Sequence, residues 1–156
     1  MNRNDPHMLS LDTAKEVLDK MNSTEDKAAI LSWNSKVAFS SDLTSNFTLL
    51  RTFLDMVSRH GGTNLDIGLA AATRILQVVK LANEAKEVRN AIIFFSDASG
   101  AYTPSNIMTS PSDQVKEKNY RVFPIGFNIK PGSSQENILK DIASVNQGKY
   151  FSVTGT

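Results

Sequence analysis

Ala91-Ile92-Ile93-Phe94-Phe95 is an unbroken apolar run. A strand with one wet face alternates apolar and polar residues, whereas an unbroken run has no polar side and needs cover on both faces. The run therefore predicts a central strand between helices, which restricts the chain to layered α/β architectures.

The flanking sequence supplies that cover. Asp5-Pro6 reads as a helix start, and Leu11, Ala14, Leu18 and Met21 then form one stripe at helical spacing before Asn22-Ser23-Thr24. Ala28 to Trp33, the turn-like Asn34-Ser35 and Val37-Ala38-Phe39 predict an antiparallel hairpin. Phe47, Leu50, Leu54 and Val57 mark a second helix, with Ser45 or Asn46 as its cap and Arg59-His60-Gly61-Gly62 as its stop. A longer helix starts near Thr63 or Asn64 and runs to about Glu87, keeping Leu69, Ala72, Leu76 and Val79 on one face.

Beyond the apolar run the alternation continues. Ser110-Pro111 predicts a helix to about Lys118, and Tyr120 to Phe127 a buried strand. Ser134 is positioned to cap a last helix carrying Ile138, Leu139, Ile142 and Val145, and Gly148 releases a final strand, Lys149 to Val153. Repeated strand-helix-strand units imply right-handed crossovers. The expected fold is an α/β, Rossmann-like three-layer sandwich, with a mainly parallel central sheet, one antiparallel edge strand and helices on both faces. At 156 residues, 40% of them hydrophobic, one core suffices, and residues 1–156 read as a single domain without linker or repeat.

Charge and cysteine content exclude several functions. A net charge of +1 with basic residues scattered among acids, as in Lys15, Glu16, Asp19 and Lys20, gives no stripe for nucleic acid. No apolar stretch approaches the roughly 18 residues of a membrane span. The absence of cysteine removes disulfides, thiolate chemistry and the common zinc frameworks while leaving the compartment open. Met1 to Pro6 lack the apolar region of a secretion signal, so an export signal would lie outside this chain.

In open α/β sheets ligands bind beyond the carboxyl ends of the strands. Two loops qualify: Gly61-Gly62-Thr63-Asn64, whose glycines allow close backbone approach and whose threonine offers a hydroxyl, and Ser96-Asp97-Ala98-Ser99, where an acid leaves the buried strand. Thr63 and Asp97 are hard oxygen donors of the kind Mg²⁺ or Mn²⁺ prefers. On the residues alone the plainer reading is that Asp97 caps a helix and Gly61 to Asn64 is a turn and cap. His7 and His60 fall at helix ends and read as surface or capping residues. Asn22-Ser23-Thr24 and Asn46-Phe47-Thr48 fit the glycosylation pattern but read first as caps or turns, and Tyr102 with Pro104 is a candidate binding rim.

Taken together, Gly61-Gly62-Thr63-Asn64, Asp97 just after an apolar strand, Ile125-Gly126, Ile142-Ala143 and Gly148-Lys149-Tyr150-Phe151 resemble the von Willebrand factor A-type domain over nearly the entire chain. The resemblance implies a non-enzymatic, adhesion-type protein-binding module with a MIDAS-like site. In such a site Asp97 and Thr63 contact Mg²⁺, Mn²⁺ or Ca²⁺, with Ser96 or Ser99 nearby, and an acidic side chain of a protein partner completes the ion's shell. It also favours an extracellular or cell-surface location. Where Ala98 stands, the family often has glycine.

The family begins with a central strand ending in Asp-x-Ser-x-Ser, and neither is in this sequence. Asn4-Asp5-Pro6, Leu11 and Ala14-Lys15 resemble the segment just after that loop in relatives. The chain is therefore expected to be an N-terminally shortened A domain with an incomplete metal site, one that need not hold an ion at all. Without the first central strand, either the flanking strands close up and pair, or a strand from another copy fills the place, giving a strand-exchanged homodimer.

Two other functions fit the pattern less well. An aspartate-based phosphoryl-transfer enzyme would use Asp97 as nucleophile, but position 99 is a serine where the common phosphohydrolases place a second acid. Neither a Walker A loop nor a Gly-x-Ser-x-Gly elbow is present. A metal-free structural assembly domain would give Thr63 and Asp97 no shared task.

Overall fold

The computed structural model describes residues 5, 7–57, 64–82, 89–100 and 120–155, with only the backbone at 78–82. Its elements are α1 (Leu9–Lys20), β1 (Leu31–Trp33), β2 (Val37–Ser40), α2 (Phe47–Asp55), α3 (Leu65–Ala82), β3 (Ala91–Ser96), β4 (Arg121–Phe127), α4 (Ser134–Val145) and β5 (Phe151–Val153). The expected α/β alternation is present.

Local chemistry sets the element boundaries. Asp5 does cap the first helix, accepting from the Leu9 and Ser10 amides, but the helix starts at Leu9, after Met8 takes a left-handed φ of 58°. Asn46, rather than Ser45, caps α2 by accepting from the Leu49 amide at 3.0 Å. The last helix is capped by Ser133, not by Ser134 as expected, because Ser133 is extended (φ −73°, ψ 162°) and its hydroxyl accepts from the Glu136 amide. Ser-x-x-Glu, the capping-box signature, fits residues 133–136 and not the next register. The expected stop at Arg59 to Gly62, the last residues of the long helix and the helix after Ser110 lie outside the described residues.

β3 pairs with β4 and β4 with β5, all parallel, with Ile92 opposite Val122 and Phe95 opposite Ile125. β1 and β2 form an antiparallel hairpin, and Ala28 bridges Thr44 just beyond it. Apolar residues segregate to the two sides of this strand layer. On one side Leu65 and Leu69 of α3 and Leu139 and Ile142 of α4 pack with Ile92, Phe94 and Val122. On the other, Ala14 and Leu18 of α1 and Leu50 and Leu54 of α2 gather Ile30, Phe53 and Phe95. Lys15–Asp55 and Arg51–Asp19 pairs tie α1 to α2 at the surface, where such pairs contribute about 1 kcal/mol or less. No helix among the described residues is long and apolar enough to cross a membrane.

Of the two outcomes expected for the flanking strands, closure or strand exchange, closure is not seen among the described residues. Among the described residues the strands form two sheets, of order β1-β2 and β3-β4-β5, with no ladder between β1 and β3. Backbone pairing needs strands about 4.8 Å apart, and the bulky contact of Trp33 with Phe94 joins the two elements through side chains instead. Among the described residues the apolar run, read as central, is thus the edge of its own sheet, and Ile93 stays 38% exposed.

Candidate functional site

The carboxyl end of β3 carries the acid that sequence reasoning singled out. Ser96 is the last residue of the strand, and its hydroxyl accepts from the Ala98 amide at 2.9 Å. That bond folds the chain back at once, and Ala98 adopts φ 51°, the left-handed region in which a side chain costs about 1 kcal/mol and glycine costs nothing. The tight turn holds Asp97 at 3% exposure.

Ser99 fixes the carboxylate. Its amide and its hydroxyl both donate to Asp97 Oδ1, at 3.1 and 2.7 Å. Burial opposes the charged form, yet hydrogen bonds, including this pair from Ser99, more than offset it and hold the Asp97 pKa below the ordinary aspartate value. Asp97 is therefore a carboxylate throughout the physiological range, oriented by its own loop.

The second predicted donor, Thr63, lies outside the described residues, as do Gly61 and Gly62. Their neighbour Asn64 is placed. Its side chain accepts from the Ile67 amide at the start of α3, and its own amide donates to the Asn34 carbonyl at 2.9 Å, fastening the helix start to the end of β1. Trp33 links this junction to the Asp97 strand. Its ring packs on Gly68, in the first turn of α3, and stacks on Phe94, three residues before Asp97. Sequence reading missed Trp33, although a lone tryptophan in a three-residue strand, with a glycine available on the facing helix, is the signal that would have found it.

Among the described residues no group of three or more His, Asp or Glu side chains is placed to hold a metal ion. The donors that are described, one oriented carboxylate with serine hydroxyls beside it, match the oxygen preference of Mg²⁺, Mn²⁺ or Ca²⁺ in kind but fall short in number. An ion at Asp97 would take most of its shell from water or from another molecule. The other candidates carry no such chemistry: His7 is exposed, the Asn22 side chain accepts from the Thr24 amide and hydroxyl in a local turn, and Asn46 caps α2. Tyr102, Pro104 and His60 lie outside the described residues.

The family model for the von Willebrand factor type A domain matches residues 4–155. No curated protein matches the chain at comparable significance. Among solved structures, BatB from Bacteroides thetaiotaomicron superposes with a TM-score of 0.69 at 17% identity, covering 94% of this chain and 80% of that one. An aerotolerance-related membrane protein from Bacteroides fragilis gives 0.66 at 18% identity, covering 92% and 80%. Proximal thread matrix protein 1 of the mussel byssus, with a zinc-occupied MIDAS motif, gives 0.60 at 16% identity over 95% of this chain and 36% of that one. At these identities the likeness is one of fold.

Proposed function

The chain belongs to the von Willebrand factor type A domain family, and from that premise we propose that it is a non-enzymatic protein-binding module of the adhesion type, whose loop after β3 holds a divalent cation. The buried, ionised Asp97, oriented by Ser99 at the carboxyl end of a parallel strand, is the observation that carries this reading. Asp97 supplies the fixed negative charge, Thr63 a hydroxyl from the loop before α3, and Ser96 and Ser99 shape the turn. When bound, the ion, Mg²⁺ with Mn²⁺ or Ca²⁺ as substitutes, offers an open coordination position to an acidic side chain of a protein partner.

The zinc-occupied motif of the byssus protein supports a cation of this general kind in a domain of the same fold. The rival reading, with Asp97 as a phosphoryl-transfer nucleophile, has less support, since Ser99 occupies the position of a second acid and engages Asp97 Oδ1. Melting temperature across Mg²⁺, Mn²⁺, Ca²⁺ and chelator tests the proposal, because a ligand that binds only the folded chain raises its stability. The expected result is a rise with ion that disappears in Asp97→Ala. No rise with any ion would leave the chain as a metal-free assembly domain.

A further inference from the structure

Two stretches of the chain carry the Asn-x-Thr pattern that accepts an N-linked glycan, Asn22-Ser23-Thr24 and Asn46-Phe47-Thr48. The pattern is frequent by chance, so a used acceptor differs from an idle one in how the folded chain presents it. In that respect the two stretches are unlike.

Asn22-Ser23-Thr24 follows the C-cap of α1, and all three residues are exposed. Asn22 Oδ1 accepts from the Thr24 amide at 3.1 Å and from the Thr24 hydroxyl at 2.8 Å. This is an Asx-turn closed a second time by the hydroxyl of the third residue, and it keeps the asparagine and the threonine in contact. Two donors on Oδ1 favour negative charge there and so make the Nδ2 protons easier to remove. Nδ2 itself makes no hydrogen bond among the described residues. The Asn22 amide donates to Asp26 Oδ2 at 2.8 Å and the Asp26 amide to the Asn22 carbonyl at 2.7 Å, contacts that a group attached to Nδ2 leaves intact.

Asn46-Phe47-Thr48 is built into the fold instead. Asn46 caps α2, Thr48 lies in its first turn with its carbonyl accepting from the Thr52 hydroxyl, and Phe47 packs against the core of Ala14, Leu18, Leu50 and Leu54. A transferase that encloses this segment must unwind the start of α2 and draw Phe47 out of the core.

We propose that Asn22 is an N-glycan acceptor in the folded chain and that Asn46 is not. In the transfer, Asn22 Nδ2 forms a bond to the anomeric carbon of a lipid pyrophosphate-linked oligosaccharide. The anomeric carbon–oxygen bond breaks, the lipid pyrophosphate leaves with the bonding electrons, and one Nδ2 proton passes to a base of the transferase. Asp97 takes no part, so the outcome is separate from that of the metal proposal.

The test incubates the purified folded chain with an oligosaccharyltransferase and its lipid-linked donor, beside peptides of residues 19–26 and 43–50, with readout by intact mass and glycopeptide mapping. Both peptides should be glycosylated. The folded chain should take one glycan, at Asn22, with transfer to Asn46 slowed at least ~10-fold relative to its peptide, because that site waits for local opening. Asn22→Gln and Thr24→Ala, both at exposed positions, should abolish transfer to the chain while changing its melting temperature little, and Asn46→Gln should leave transfer unchanged. The proposal is overturned if the folded chain takes no glycan at Asn22, if Thr24→Ala retains transfer, or if Asn46 is modified in the chain as fast as in its peptide. Refusal of the peptide of residues 43–50 would also overturn it, by making local sequence rather than the fold the discriminator.

Discussion

Trp33 stacks on Phe94 with ring centroids 4.9 Å apart and an interplanar angle of 30°, although the strands that carry them share no ladder. The contact replaces backbone pairing as the link between the hairpin and the parallel sheet. On its other side the indole lies against Gly68, and a Cβ added there would stand 2.5 Å from Trp33 Cε2. Glycine in a helix ordinarily costs about 1 kcal/mol relative to alanine. Here overpacking of about 1–3 kcal/mol should outweigh that gain, so Gly68→Ala destabilises the chain. Trp33→Ala should cost about 3 kcal/mol. In the Trp33→Ala background the sign reverses and Gly68→Ala becomes neutral or stabilising, which a double-mutant cycle in urea would read directly; a cost unchanged by the loss of the indole would disprove the contact's role.

Gly148 is constrained differently. A Cβ at this position would overlap the main-chain carbonyl of Val122, an atom of the central strand β4 that cannot rotate away. Even the smallest substitution, Gly148→Ala, should therefore cost more than about 3 kcal/mol or prevent folding, whereas Gly132→Ala, with open space around it, should be limited to the strain of its φ of 77° at about 1 kcal/mol. Comparing the urea midpoints of the two variants separates a packing limit from a conformational one.

These two glycines show which parts of the fold were legible. The order of elements could be read because each announces itself locally: an apolar stripe at helical spacing in α1, α2 and α4, and an uninterrupted apolar run in β3. Asp97 was legible for the same reason, as an acid released from a buried strand. The separation of the hairpin from the parallel sheet was not, because pairing between β1 and β3 depends on what lies between them and not on either sequence. The role of Trp33 was hidden too, since its partners Gly68 and Phe94 are remote in sequence. Thr63, read from the Gly-Gly-Thr-Asn pattern, stays a proposal that rests on the family.

The cap of α4 distinguishes two adjacent serines. Ser133 accepts from the Glu136 amide, and Glu136 in turn accepts from the Gly132 amide at 2.8 Å while pairing with Lys140. Ser133→Ala should cost about 1 kcal/mol, and Ser134→Ala, one residue on and exposed, only a few tenths. Thermal unfolding of the two single variants decides between these assignments; equal losses would mean that the cap is shared or absent.

The Asp97 carboxylate couples the candidate site to pH. Burial raises its pKa, but hydrogen bonds such as those from the Ser99 hydroxyl and amide prevail, so the folded-state pKa is below the ordinary value of 3.8. A carboxyl whose pKa is depressed by folding contributes stability that is present above about pH 3.8 and is lost as pH falls through its folded value. Asp97→Asn carries no titrating group, so the wild-type advantage over it should be constant from pH 7 to about pH 5 and shrink below 3.8. Urea unfolding of both proteins across this range reads the difference. An advantage that is the same at both ends of the range would mean that folding leaves the carboxylate pKa where it is in the unfolded chain, and that Ser99 orients Asp97 without stabilising its charge.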